Sequence, residues 1–165
     1  MQIAKHRKAK KVQEALGPNF TVLEFDQPTA SALQAATTIG CAVAKIAKSL
    51  VFADANGTPV LVIVSGASRV DEVKVGEILG APIHRADADF VKSATGFSIG
   101  GVPPVGHNTR FAVVLDQALR EFDEIWAAGG TPTSVFCLTP NQLNQLTGGT
   151  FADVALAWPS PRGNL

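Results

Sequence analysis

Two features of the sequence could carry chemistry. The first is Lys48, which lies in Ile46–Phe52, a run that reads as a strand. Alternate residues of an extended chain share a face, so Lys48 stands with Ile46, Leu50 and Phe52 on the bulkier apolar side. Lys45, Ala47, Ser49 and Val51 take the other side, where Lys45 is expected in solvent. An ammonium buried without a partner is costly. Lys48 therefore either lines a cavity that receives an anion or polar ligand, or reaches the rim to pair with a carboxylate such as Asp87.

The second feature is Thr95–His107, in which Gly96, Gly100, Gly101 and Gly106 alternate with Pro103, Pro104 and His107. Such a segment cannot be helical. Prolines fix φ and glycines let backbone approach a ligand, so a stiff binding loop with available amides and carbonyls is the reading beside an out-of-place lysine. It is not a nucleotide-phosphate loop: no Gly-Lys-Ser/Thr follows and the Gly-x-Gly-x-x-Gly spacing is missing. A serine nucleophile elbow is missing too. His6, His84 and His107 are scattered and neither Cys41 nor Cys137 has a metal-ligand spacing, so no metal and no cofactor is expected. Asp116, Glu121, Asp123 and Glu124 read as a solvated acidic face.

The elements that must position these residues are interleaved helices and strands. Residues 2–16 suit a helix with Ile3, Val12, Ala15 and Leu16 as its apolar stripe, stopped by Gly17-Pro18. Residues 20–25 alternate like a short strand, and 28–38 form an Ala-rich helical stretch. Residues 44–53 and 59–65 flank Asn56-Gly57, a hairpin signal. Val60–Val64 is apolar on both faces and should be covered on both. Ser68–Asp71 resembles a capping box opening a helix with Val73, Ile78 and Leu79 inward, ended by Gly80. Asp87 caps the next helix, through Val91 and Ala94. Residues 111–115, 124–128 and 134–138 read as strands, and Thr139-Pro140 starts a last helix with Leu143 and Leu146. The class is α/β or α+β with a mixed sheet, in a single domain over residues 1–165.

The chain is 46% hydrophobic and 17% charged, which supports a sizeable core and excludes wholesale disorder. Its formal net charge of zero hides a polarity. Residues 1–50 hold seven Lys/Arg against Glu14, Glu24 and Asp26; residues 51–165 hold seven against eleven acids. Lys5, Arg7, Lys8, Lys10 and Lys11 give the first helix a basic outer face that could contact phosphates or simply be solvated. Two cysteines make no disulfide framework, no apolar stretch follows the charged N-terminus, and the longest aliphatic run is Val60–Val64. No secretory signal or membrane span is expected, and the default location is the cytoplasm.

Three segments together resemble the YbaK-like aminoacyl-tRNA deacylases, related to the editing domain inserted in bacterial prolyl-tRNA synthetases. They are Lys48-Ser49-Leu50-Val51-Phe52, the loop from Thr95-Gly96-Phe97 to Gly100-Gly101-Val102-Pro103-Pro104, and the strand Glu124–Ala128 ending in Gly129-Gly130. The resemblance implies a compact domain around a curved, partly closed mixed sheet. It implies hydrolysis of the ester joining a wrong, small amino acid to the tRNA 3′ end, with Lys48 as the essential lysine. By the same resemblance Gly100, Gly101 and Val102, stiffened by Pro103 and Pro104, contact the ester, and Gly129 and Gly130 form the opposing wall. The partners implied are the aminoacylated tRNA 3′ end and an aminoacyl-tRNA synthetase. Pro103 and His107 depart from the cysteinyl-tRNA-hydrolysing members, so specificity is open; His107 either touches substrate, acts as a base or caps the loop. A non-catalytic binder of tRNA ends or small molecules is the alternative.

Overall fold

The spine of the molecule is a hairpin, and a computed structural model describes it together with the rest of residues 1–29 and 31–157. Strands β1 (Gln2–Ile3), β2 (Leu23–Glu24), β3 (Ile46–Asp54) and β4 (Pro59–Ser65) alternate with helices α1 (Arg7–Leu16) and α2 (Ala32–Ile39). Then follow α3 (Glu72–Leu79), β5 (Ile83–Arg85), α4 (Ala88–Thr95), β6 (Ala112–Asp116), β7 (Ile125–Ala128), β8 (Ser134–Leu138), α5 (Pro140–Thr147) and β9 (Thr150–Ala152). β3 and β4 pair antiparallel from Ala47↔Ser65 to Ala53↔Pro59. Their turn is closed by the Asp54 carboxylate, which accepts the N–H groups of Asn56 and Thr58 at 2.9 Å, and by Gly57 at φ +77°.

Among the described residues the sheet is mixed and has nine strands. Its order is β1-β2-β8-β7-β3-β4-β6-β9, with β5 added to β3, and the path stays open at β1 and β9. β4 is buried from Val60 to Ser65, covered on both faces as its sequence requires. Val60, Val62 and Val64 pack with Phe52, Val75 and Val114 on one side. Leu61 and Ile63 pack with Val51, Phe97, Leu115 and Phe136 on the other.

Several elements sit differently from the sequence reading. α1 starts only at Arg7, capped by His6, because Gln2–Ile3 pairs with β2. Ile3 is therefore 69% exposed and the buried stripe is Ala9, Val12 and Leu16, without Ala15. α3 is capped by Asp71, whose carboxylate accepts from Val73 and Lys74, rather than by Ser68. That start puts Val75 inward, with Leu79 one turn on. Val73 and Ile78, expected inward, are 70% and 43% exposed. The Asp87 cap and the Thr139–Gln142 capping box with Pro140 form as expected. The Ala-rich stretch is helical from Ala32, and Ala30 lies outside the described residues.

Asp116 leaves the acidic face predicted for it. It is 1% exposed, and its carboxylate accepts the N–H of Ser65 and of Ala118, each at 3.0 Å, tying the end of β4 to the one-turn helix after β6. Asp116→Ala strands the buried Ser65 amide. Urea denaturation should show a loss of about 1–3 kcal/mol, where the exposed Glu121→Ala shifts stability by less than about 0.5 kcal/mol.

Candidate active site

β3 is paired unequally on its two edges. β4 covers one edge over seven residues, whereas the other meets β7 only at Ile46 and Ala47 and β5 only at Phe52–Asp54. Lys48–Leu50 thus faces a gap in the sheet. Val51 O accepts from Ala86 N on this edge, at 3.4 Å. Neighbouring residues of a strand turn their peptide groups to opposite edges, so the N–H and C=O of Ser49 point into the gap as those of Val51 do.

A cleft of about 240 Å³ opens at this gap. Ile46, Lys48, Ser49 and Leu50 supply its floor, Ile99, Gly100 and Val102 one side, and Trp126–Ala128 with Thr131 and Ser134 another. Thr29, Ser31 and Ala35 close it from the α2 end. A smaller cleft of about 130 Å³ shares Ser49, Leu50, Gly100 and Val102. Between them the Ser49 hydroxyl is buried with no hydrogen-bond partner among the described residues. Sequence reading assigned Ser49 only to the strand's other face.

Lys48 is half-buried and its Nζ donates to Ser68 O at 2.9 Å, so it does not pair with Asp87. Burial, then the nearby positive charges of Arg69 and Arg85, lower its pKa below the ordinary amine value. Two of its three N–H donors remain for a ligand.

The glycine–proline loop is held from behind. Phe97 is fully buried, and the Thr95 hydroxyl donates to Val91 O and accepts from Phe97 N. Pro103 and Pro104 are buried and do not line the cleft. Gly101 turns its Cα toward the opposite wall: a Cβ there would sit 2.9 Å from Thr131 Cα. Gly101 N donates to Ser98 O, whereas the N–H groups of Gly100 and Val102, both cleft-lining, have no partner among the described residues. α1 braces the loop as well. Lys8 Nζ donates to Gly96 O at 2.9 Å, and Lys8 and Lys11 lie 5.8 and 5.2 Å from the Phe97 ring centroid.

Gly129 and Gly130 lie beside the cleft and outside its lining. Val22 Cγ1 is 2.6 Å from where a Gly129 Cβ would be, and Gly130, at φ +107°, packs against Lys8 O and Phe97. The wall they were expected to form is made by their neighbours. Thr131 N and Oγ1 both donate to Ser134 Oγ, at 3.0 and 2.8 Å, fixing that turn.

His107 also stands outside the cleft. Its ring stacks on Phe111 at 4.8 Å, meets Phe97 edge-on, and contacts Pro103 O through Nε2 at 2.6 Å. A carbonyl only accepts, so Nε2 carries the proton and the ring staples the loop. Burial lowers the His107 pKa below its ordinary 6.5.

A mixed sheet broken beside a lysine, with a glycine loop bordering the break, defines a small-ligand cleft. The chain belongs to the aminoacyl-tRNA editing domain family, whose model matches residues 26–146. It is 33% identical over 138 residues, 83% of this chain and 88% of the other, to the uncharacterized protein YwhH of Bacillus subtilis. It is 26% identical over 125 residues, 75% of this chain and 76% of the other, to EbsC of Enterococcus faecalis, a candidate Cys-tRNA(Pro)/Cys-tRNA(Cys) deacylase. Against the proline–tRNA ligase of Lactobacillus helveticus it is 31% identical over 87 residues, 52% of this chain and 15% of the ligase. The crystal structure of a candidate trans-editing enzyme for prolyl-tRNA synthetase superposes with a TM-score of 0.89 at 41% identity, covering 93% of this chain and all of that one. Among the described residues no helix is long and apolar enough to cross a membrane.

The lowered His107 pKa has a signed consequence. The folded protein keeps the ring neutral, while the unfolded chain takes up a proton as pH falls through 6.5, so this contribution to stability is complete above 6.5 and lost below it. His107→Phe removes it. The stability advantage of the wild type over His107→Phe, measured by urea denaturation between pH 7.5 and 5, should shrink as pH falls; a constant difference sinks the assignment.

Proposed function

We propose that the chain is an aminoacyl-tRNA deacylase that hydrolyses the ester of a mischarged tRNA carrying a small amino acid. The observation that carries this reading is one cleft lined together by Lys48 and by Gly100 and Val102, whose N–H groups have no partner among the described residues, in a member of the editing family. Water adds to the acyl carbon, the carbonyl oxygen gains negative charge, and the ribose oxygen then leaves and takes a proton. The products are a free amino acid and a tRNA with its terminal hydroxyl restored. The Gly100 and Val102 N–H groups stabilise the developing oxyanion, and Pro103 and Pro104 keep them in place. Lys48 holds the anionic terminal nucleotide beside the ester, which makes attack by a positioned water an oriented, local event. About 240 Å³ walled by Ile46, Leu50 and Trp126 suits a small side chain. Gly101, Gly129, Gly130 and His107 support the cleft from behind. Kinship with proline–tRNA ligases supports a tRNA mischarged by that synthetase as substrate, and the synthetase as a second partner.

A panel of tRNAs charged with Ala, Cys, Ser, Thr and Pro tests the reading. At least one ester should be cleaved well above its rate in buffer, and Lys48→Ala should lower that rate by about 10²-fold with its melting temperature retained. If no charged tRNA in the panel is cleaved while uncharged tRNA binds, the chain is a tRNA-end binder. Full activity in Lys48→Ala removes the lysine from the mechanism.

The exposed Lys5, Arg7 and Lys10 of the first helix and its approach contact tRNA phosphates, whereas Lys8 and Lys11 are committed to the loop. Changing Arg7 and Lys10 to Gln should weaken tRNA binding and reduce the slope of log affinity against log salt by about one per lost contact. An unchanged slope marks the face as merely solvated.

A further inference from the structure

The 240 Å³ cleft is built without a counter-charge for a cation. Lys48 is the charged residue in its lining, and among the described residues no Asp or Glu lines it. The residues outside that set, Ala30 and 158–165, contain no Asp or Glu either. The charges that face Lys48 are Arg69 and Arg85, with Glu72 lining a separate cleft beside all three. On the α2 side, Asp26 borders a different groove across Thr29. Three cations against one acid make the potential at the cleft floor positive.

The hydrogen-bonding groups left free there are mostly donors. Lys48 Nζ spends one N–H on Ser68 O, and the N–H groups of Gly100 and Val102 have no partner among the described residues. The hydroxyls toward α2 are engaged: Thr29 Oγ1 donates to Pro132 O, Ser31 Oγ accepts from Gln34 N, and Thr131 Oγ1 donates to Ser134 Oγ. An ammonium has three donors and no acceptor, so it has nothing to offer these N–H groups. A hydroxyl or a free amine has a lone pair for a donor and a proton for the Ser49 carbonyl, which points into the gap in the sheet.

We propose that this cleft admits the acyl group with its α-substituent uncharged, so that an aminoacyl ester reacts as the free amine and 2-hydroxyacyl esters of tRNA are substrates as well. The proposal rests on the deacylase reading for the reaction itself. Water adds to the acyl carbon and the ribose oxygen leaves and takes a proton, so the products are a 2-hydroxy acid and a free tRNA. The nucleotide anion offsets Lys48 but leaves an ammonium beside the acyl carbon desolvated and without a carboxylate, a cost the neutral forms avoid. A peptide α-amine titrates at about 7.7–8.0, and the electron-withdrawing ester lowers that further, so free amine is available near neutral pH.

The test compares the best-cleaved ester of the panel with its 2-hydroxy counterpart, lactyl-tRNA for alanyl-tRNA, from pH 6 to 8.5, each rate taken above that in buffer. Lys48 and the attacking water act alike on both esters, so the ratio of their kcat/KM values isolates the α-substituent. At pH 6 the 2-hydroxy ester should lead by about tenfold or more. The lead should shrink as pH rises, because the aminoacyl ester gains free amine while its counterpart has nothing to titrate. Ser31→Asp sets a carboxylate on the cleft lining and keeps the α2 cap. It should cut the lead at pH 6 by about threefold, whereas Ser31→Asn, an equal cap without charge, should leave it. A 2-hydroxy ester that resists cleavage while the aminoacyl ester is hydrolysed, a ratio constant with pH, or an Asp variant that behaves as the Asn variant does, overturns the proposal and leaves the deacylase reading intact. No cleavage of any ester in either series removes the deacylase reading and this proposal together.

Discussion

The interrupted outer edge of β3 is the constraint on which the rest of this structure depends. A central strand normally hydrogen-bonds along both edges, and leaving peptide groups of a buried strand unpaired is costly. Here β7 and β5 each take one end, and Lys48–Leu50 between them remain open to the cleft. The break holds because β4 clamps the other edge along its whole length and is itself buried on both faces. The same break lets residues of opposite strand faces, Lys48 and Ser49, border one cleft, which an intact sheet would forbid.

Much of this arrangement could be read from residue types, and the parts that could not share a cause. The hairpin, the Asp87 and Thr139 caps, the doubly buried β4 and the loop ending at His107 all rest on local chemistry: turn glycines, capping oxygens, periodicity. β5 and β9 are three residues long and exist only through long-range pairing, so no local pattern announces them. The inward face of α3 turned on a cap three residues from the expected one, since at 100° per residue a shifted start reassigns every side chain. Lys48 was recognisable as misplaced, but its partner is a backbone carbonyl, which carries no sequence signature. Gly129 and Gly130 were recognisable as special without showing on which side; their missing side chains make room for Val22 and Phe97 rather than for a ligand.

Polar groups are distributed by task. Those that hold the scaffold are saturated: Asp116 with two amides, Thr95 with the turn before Phe97, Thr131 with Ser134. Those at the clefts are left short: the Ser49 hydroxyl, the amides of Gly100 and Val102, two of the Lys48 donors. A buried group without a partner, such as the Ser49 hydroxyl, costs stability, and donors left free around it are capacity for binding a ligand.

The contact between Gly101 and Thr131 leaves no clearance between two backbones, one from each side of the cleft. That packing sets a lower limit on the aperture at this point, since the two walls cannot be drawn closer without a clash. The room inside the cleft is then set most directly by the side chains that line it, Ile46, Leu50 and Trp126, which can be exchanged while the backbone contact is kept.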